Sequence, residues 1–193
     1  MAEPDADHQG RVLVAIARDS ISHTVLGTPE QEWRKPWLEE PGATFVTIRH
    51  RGALRGCLGS LEAQLPLIDD VRKNAGAAAT RDPRFPPLTA EELSDTEVEV
   101  SLLSPLQPVG FSSEEDALDK LAQGRDGWVL EYQSHSGTFL PQVWETLPQP
   151  QDFLRRLKEK AGLAASFWHP EIRLWRYSVE KWRESDFKEA TEG

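Results

Sequence analysis

The chain has one cysteine in 193 residues, which excludes an internal disulfide and suits a reducing compartment. Basic residues are few, 22 against 32 acidic ones, and the formal net charge is -10. That sign argues against binding to a phosphate backbone, so no nucleic-acid partner is expected. Apolar runs stay well below the ~18 residues of a membrane span, and the acidic residues 1–7 are unlike a signal peptide. The sequence therefore predicts a cytoplasmic protein that does not span or bind a membrane.

Several motifs of familiar enzyme classes are also absent. The five histidines show neither His-x-His nor His-Glu-x-x-His spacing, and one cysteine supplies too few soft ligands for a structural zinc site. No Gly-x-Gly-x-x-Gly or Walker-type loop is present, and no Gly-x-Ser-x-Gly elbow. We predict no bound metal and no cofactor, and a serine hydrolase is disfavoured.

Periodic patterns in the remaining sequence indicate a mixed fold. Helical spacing of apolar residues and capping signals predict helices at 9–25, 66–80, 112–124, 141–145 and 152–160, and Gly27 is expected to end the first of them. Alternation predicts two hairpins, at 45–59 with a turn at Arg51-Gly52 and at 127–140, and two further strands, at 97–103 and 172–182. Hairpins interrupted by helices, without regular βαβ units, favour an α+β fold with an antiparallel sheet and flanking helices. Residues 1–183 are predicted to form one domain, and 184–193 a polar tail.

The cysteine lies in the most distinctive stretch, residues 54–59 (Leu-Arg-Gly-Cys-Leu-Gly). Strand alternation places Arg55 and Cys57 on one face about 7 Å apart, and Gly59 is predicted to leave open space beside the thiol. A guanidinium at that distance favours the reactive thiolate. The alternative stays open, because a free cysteine usually packs as a small buried hydrophobe.

Two further segments contain candidate functional residues. Asn74 falls on the buried stripe of the helix at 66–80, where an amide needs partners in the loop backbone or in a ligand. Residues 82–87 (Asp-Pro-Arg-Phe-Pro-Pro) predict a stiff loop that holds Arg84 in place.

These segments together resemble the AMMECR family. The similarity includes the Leu-Arg-Gly-Cys-x-Gly motif, Asn74-Ala75, residues 81–86 (Arg-Asp-Pro-Arg-Phe-Pro), 138–144 (Thr-Phe-Leu-Pro-Gln-Val-Trp) and 160–163 (Lys-Ala-Gly-Leu), in order and spacing. It covers roughly residues 10–183. The resemblance implies two closely associated subdomains with a cleft. Because bacterial relatives resemble parts of a set with a Memo-like protein and a radical SAM protein, it also implies these two as partners.

The functional interpretation combines the motif and the resemblance. The first hypothesis is a thiol-dependent enzyme or ligand cleft that takes a small anionic ligand, with Cys57 and Arg55 catalytic. The residues expected to bind substrate are Gly56, Gly59, Asn74, Asp82, Arg84 and Gln142. The second hypothesis is a non-catalytic protein-binding module in which Cys57 is a packing residue. A nucleic-acid regulator is the third, and the net charge opposes it.

Overall fold

A computed structural model describes residues 5–187, which contain five α-helices and nine strands. The helices are α1 (Ala6–Leu26), α2 (Leu67–Thr80), α3 (Glu114–Ala122), α4 (Val143–Thr146) and α5 (Pro150–Lys160). The strands are β1 (Pro41–His50), β2 (Ala53–Gly59), β3 (Leu65–Pro66), β4 (Thr96–Leu103), β5 (Gln107–Val109), β6 (Gly127–Tyr132), β7 (His135–Phe139), β8 (Arg173–Tyr177) and β9 (Val179–Arg183). The predicted α+β class, with antiparallel hairpins and flanking helices, is confirmed.

Within the described residues the chain forms two compact units. The first unit contains residues 5–103 and 180–187, and the second contains residues 104–179. Residues 104–113 at the first boundary include three serines, two prolines and one glycine, whereas the second boundary, at 179–180, falls within β9 and has no such signal. Composition alone therefore does not show that residues 180–187 return to the first unit.

The first unit is a sheet covered on one face by two helices. Its strand order is β2-β1-β4-β9, and β1 also pairs with the short β3. Apolar residues of β1 and β4, including Val46 and Val98, share one hydrophobic core with α1 and α2. Helix α1 ends at Gly27, whose φ of 71° is left-handed and whose N–H donates to the carbonyl of His23. This is the helix end that the glycine predicted.

The second unit has its own four-stranded sheet, in the order β5-β8-β6-β7. Helices α3 and α5 contribute Leu121, Phe153 and Leu157 to a separate core that includes Trp128 and Leu174 of the sheet. All residues of this core lie between positions 104 and 179, so the second unit has an apolar core of its own.

The last predicted strand, 172–182, was wrong as a single element. It is divided at Ser178 into β8 and β9, which belong to different sheets. Ser178 bonds to Ser104 instead of continuing a ladder: its N–H donates to Ser104 Oγ and its carbonyl accepts from the Ser104 N–H. Because a single residue does not disturb the apolar alternation, the pattern of residues 172–182 does not show that the strand divides at Ser178.

The predicted polar tail begins with ordered structure. Residues Glu184–Phe187 form a 3₁₀ turn, and the carboxylate of Glu184 pairs with Arg18 and accepts the N–H of Val98. The rest of the predicted tail lies outside the described residues.

Candidate functional site

The motif around Cys57 lies on the second strand of the β1–β2 hairpin. The turn residues Arg51 and Gly52 have φ angles of 51° and 81°. Positive φ at both central residues is typical of a type I′ turn, which joins two antiparallel strands directly. Because β2 is at the edge of its sheet, the outward backbone groups of Cys57 need partners outside the ladder.

The thiol lies on the sheet face opposite the helices. Cys57 pairs across the ladder with Thr47, and Thr47 pairs with Glu99 on β4. The alternate residues Val46 and Ile48 face the helix-covered core. Thr47 Oγ1 donates a hydrogen bond to Cys57 Sγ at 3.3 Å, and Cys57 is half-buried. The sulfur therefore has a polar neighbour and belongs to a residue that is only partly buried.

Glu99 is a residue of this face that sequence reasoning missed. An acidic residue that alternates with Val98 and Val100 along a strand is expected to face water, but the Glu99 side chain is only 5% exposed. Its carboxylate lies 3.4 Å from Lys181 Nζ and 2.8 Å from Arg183 Nε, both on β9. No local signal shows that β9, some eighty residues later in the chain, brings these two cations to the carboxylate.

Asp82 and Arg84 clamp the outer edge of the Cys57 backbone. Asp82 Oδ2 accepts the Cys57 N–H at 2.8 Å and Arg84 Nη2 at 2.7 Å. Asp82 Oδ1 accepts Arg84 Nε at 2.9 Å and the Arg84 N–H at 3.1 Å. Arg84 Nη2 also donates to the Cys57 carbonyl at 3.4 Å. This Asp82–Arg84 clamp thus satisfies both outward backbone groups of Cys57, which no neighbouring strand could reach.

The electrostatics of the clamp follow from its burial. The Asp82 side chain is 2% exposed. The Arg84 guanidinium holds the pKa of that carboxyl well below its usual range, with help from the Cys57 N–H, although burial opposes this. Asp82 in turn raises the pKa of Arg84, and the negative charge of a Cys57 thiolate adds to the effect. Arg84 is 54% exposed, so a fixed cation contacts the Cys57 backbone and remains open to solvent.

Arg55 has partners other than the thiol. A register shift between Ile48 and Arg49 interrupts the ladder opposite Arg55, so strict alternation, on which its placement beside Cys57 was based, does not apply. Its guanidinium donates Nε and Nη2 to Glu92 at 2.8 and 2.9 Å, and Nη1 and Nη2 to the carbonyls of Pro86 and Pro87. Arg55 thus joins β2 to the loop after α2.

The pairing of Arg55 with Glu92 predicts an acid-dependent loss of stability. Hydrogen bonds from Arg55 lower the pKa of Glu92 from 4.5 to about 2. A lowered folded-state pKa means that the contribution is complete above pH 4.5 and is lost as the pH falls toward 2. We expect Glu92→Gln to lower the free energy of unfolding by about 2 kcal/mol at pH 7, and by much less at pH 2.5. Urea denaturation at both pH values measures this.

The matched control is Glu91→Gln, which removes the same charge from an exposed neighbour. It should leave the free energy of unfolding within about 0.5 kcal/mol at either pH. An equal loss of stability in the Glu92→Gln variant at both pH values would contradict ionised pairing.

Gly56 and Gly59 serve the packing of β2. A Cβ at Gly56 would lie 2.1 Å from the carbonyl oxygen of Ala78 on α2. At Gly59 it would lie 2.3 Å from the ring of Phe45, its partner across the ladder. The open space predicted beside the thiol at Gly59 was therefore wrong, because the Phe45 ring covers that position.

Asn74 belongs to a neighbouring buried network. Its Nδ2 is within hydrogen-bond distance of the Thr44 carbonyl and Asp70 Oδ2, both at 3.0 Å, and of Ser60 Oγ at 3.1 Å. The network ties α2 to β1 and to the residue that follows β2. The amide thus has internal partners, as a structural role requires.

Gln142 belongs to the second unit, where it is exposed at the N-terminus of α4. The structure therefore brings Cys57, Asp82 and Arg84 into direct contact and places Gly56, Gly59 and Arg55 around them.

Within residues 5–187, no group of three or more His, Cys, Asp or Glu side chains is arranged to hold a metal ion. Over the same range, no helix is both long and apolar enough to cross a membrane.

The chain is similar to a widespread set of proteins. The AMMECR1 family model matches residues 14–182. A protein of Methanothermobacter thermautotrophicus is 37% identical over 94% of this chain and 97% of its own length. A protein of Thermofilum pendens is also 37% identical, over 89% of this chain and 88% of its own length.

A solved structure is similar as well. The crystal structure of uncharacterized protein PH0010 from Pyrococcus horikoshii matches with a TM-score of 0.75 and 34% identity, over 92% of both chains. The similarity therefore extends over both units and includes the segments that carry Cys57 and the Asp82–Arg84 clamp.

Proposed function

Because the chain belongs to the AMMECR1 family, we propose that Cys57 and Arg84 form its functional centre, which takes a small anionic ligand for thiol-dependent chemistry. The observation that carries this proposal is the Asp82–Arg84 clamp. It fixes the backbone of Cys57 and holds a half-exposed guanidinium against the carbonyl group of the same residue. Arg84, rather than the predicted Arg55, is the cation available to a ligand.

The clamp supports ligand binding more than a purely structural role. A buried carboxylate alone would satisfy the Cys57 N–H, yet here it also orients the planar guanidinium through two bonds, to Nε and Nη2. A guanidinium held in this way loses little further freedom when it binds an anion, which favours affinity. Its Nη1 donates no hydrogen bond within residues 5–187, so it is free to contact such a ligand.

Alkylation of the single cysteine tests the proposal directly. We expect the native protein to react with anionic iodoacetate faster, relative to neutral iodoacetamide, than the urea-unfolded protein does, because Arg84 attracts the anion. In Arg84→Gln, the ratio of the two rates should fall about three- to tenfold. Rates are measured by mass spectrometry of the intact protein at pH 7.

Arg81→Gln is the matched control, since it removes an equal charge from an exposed position three residues earlier. Its rate ratio should stay at the wild-type value. A ratio that is unchanged in Arg84→Gln, or a thiol that reacts only after unfolding, would refute an anion site at Cys57.

The protein-binding module remains the second candidate, and a different observation favours it. Leu54 is the first residue of the motif on edge strand β2, Leu61 lies two residues after that strand ends, and both side chains are exposed. Apolar groups beside a sheet edge suit contact with another chain. An unreactive Cys57 would favour this function. An accessory role beside a Memo-like protein and a radical SAM protein agrees with either candidate, and its support is the family resemblance alone.

A further inference from the structure

A cavity of about 270 Å³ lies beside the start of α2, outside the Cys57 centre. Its polar lining comes from Ser60, Glu62, Gln64, Asp70 and Lys73. All five belong to the first unit, between the end of β2 and the second turn of α2. No residue that the Asp82–Arg84 clamp uses takes part in it.

The floor of this cavity is a buried carboxylate with one unused oxygen. Asp70 is 1% exposed and is one of the residues that line the cavity. Its Oδ2 accepts the Thr44 N–H and hydroxyl, both at 2.7 Å, and Asn74 Nδ2 at 3.0 Å. Its Oδ1 accepts no hydrogen bond from residues 5–187. This oxygen atom is not fully enclosed by the protein and keeps a small accessible surface. The remaining accessible surface of Asp70 therefore faces the cavity.

A carboxylate oxygen that is nearly enclosed keeps little of its hydration, and without a donor from the protein this partial loss costs free energy. The fold does not need this oxygen, because all three structural bonds go to Oδ2. A ligand that donates a charge-assisted hydrogen bond to Oδ1 would recover that free energy.

We propose that this cavity binds a protonated primary amine on a short alkyl chain. The ammonium would donate to Asp70 Oδ1 at the floor, to Ser60 Oγ and to the carboxylate of Glu62. The apolar side chains of Leu61 and Leu65, which also line the cavity, would contact the alkyl chain. A free alkylamine and the side chain of a lysine in another protein both present this group.

The surroundings favour an ammonium over a metal ion. The cavity offers two carboxylates, and Lys73 stands on its wall, whereas Ca²⁺ prefers six to eight oxygen ligands and Mg²⁺ near-ideal octahedral geometry. The volume lies just below the range of about 300–1,000 Å³ that is typical of drug-sized ligands, so it suits one short chain.

Binding is measured by titration of the ¹⁵N-labelled full chain with n-butylammonium chloride at constant ionic strength. We expect saturable shifts in residues 60–65 and 70–74, and none with the neutral isostere butan-1-ol. Asp70→Asn should weaken binding about tenfold or more, as loss of a charge-assisted hydrogen bond does. It should keep its fold, because the asparagine oxygen can replace Oδ2 while its NH₂ takes the place of the unused oxygen.

Asp69→Asn is the matched control: it removes the same charge from the adjacent, exposed residue and should leave the affinity within about twofold. Lys73→Gln should raise the affinity about two- to threefold, an effect that a structural role of Asp70 would not produce. This second variant also decides the matter if Asp70→Asn fails to fold, since Lys73 is exposed.

A blocked tripeptide, acetyl-Gly-Lys-Gly-amide, distinguishes the two sources of the amine. Much tighter binding of the peptide than of butylammonium assigns the site to a protein lysine, and equal binding assigns it to a free amine. The proposal is overturned if the wild type, Asp70→Asn and Lys73→Gln bind butylammonium with equal affinity. It is also overturned if butan-1-ol binds as well as butylammonium does. Because neither Asp70 nor Lys73 contacts the Cys57 centre, the alkylation ratios should be unchanged, so the two proposals fail independently.

Discussion

Gly56→Ala is expected to lower the free energy of unfolding by about 3 kcal/mol. The new Cβ would lie 2.1 Å from the carbonyl oxygen of Ala78, and that atom is backbone within α2. A side chain could rotate away, but α2 would have to move away from β2, and both elements contribute to the packed first unit. The motif glycine before the cysteine thus sets the distance between strand and helix.

The measurement for Gly56→Ala is urea denaturation followed by circular dichroism, with Gly110→Ala as control. A Cβ at Gly110 would have no neighbour within 4 Å, so this variant should change stability by less than about 0.5 kcal/mol. If Gly56→Ala were as stable as the wild type, the close approach of β2 to α2 would not hold in solution.

Asp82→Asn is expected to lower the free energy of unfolding by about 3 kcal/mol at pH 7, and Asp70→Asn by less than about 1 kcal/mol. Both carboxylates are buried, but they differ in how their oxygens are used. Each oxygen of Asp82 accepts two hydrogen bonds, so an amide NH₂ in either orientation would point at donors. Asp70 has one oxygen without a donor among the described residues, and an NH₂ can lie there.

The pH dependence of the Asp82→Asn variant has a definite sign. Because Arg84 lowers the pKa of Asp82 far below 3.8, the carboxylate stabilises the fold at all pH values above 3.8. That contribution is lost only as the pH falls well below 3.8, so the difference between wild type and variant should persist at pH 4 and shrink in stronger acid. Denaturation midpoints at pH 7, 4 and 2 test this. A difference that vanished by pH 4 would contradict the strong ion pair.

The same variant links stability to the proposed function. If the Asp82–Arg84 clamp orients the guanidinium, a folded Asp82→Asn protein should also lose the preference of Cys57 for iodoacetate. A variant that lost stability but kept this preference would mean that Arg84 needs no support from Asp82.

Much of the fold could be predicted because the signals are local. Apolar spacing at three and four residues and Gly27 located α1, and alternation with the turn at Arg51 and Gly52 located the first hairpin. The boundary at Ser178 escaped prediction because the interruption is a single residue, and its cause is a bond to Ser104, 74 positions earlier.

The candidate site was predictable in part. The motif identified Cys57, and the stiff loop identified Asp82 and Arg84, whose bonds to each other are local in the chain. The partner of Arg55 was not predictable, because alternation assumes an uninterrupted ladder, and the register shift before Arg49 breaks it. The burial of Glu99 was not predictable either, because an acidic residue in an alternating strand normally faces water. Here two cations from β9 pair with its carboxylate.

By itself, the sequence determined the fold class, the main helices and hairpins, the family and the identity of the central cysteine. Each of these depends on residue type and spacing along a short segment. The tertiary structure alone decided which charged groups contact the Cys57 backbone, what covers Gly59 and which oxygen of Asp70 is left without a donor. These properties depend on contacts between distant segments, such as Arg55 with Glu92, 37 residues apart, and no local periodicity encodes them.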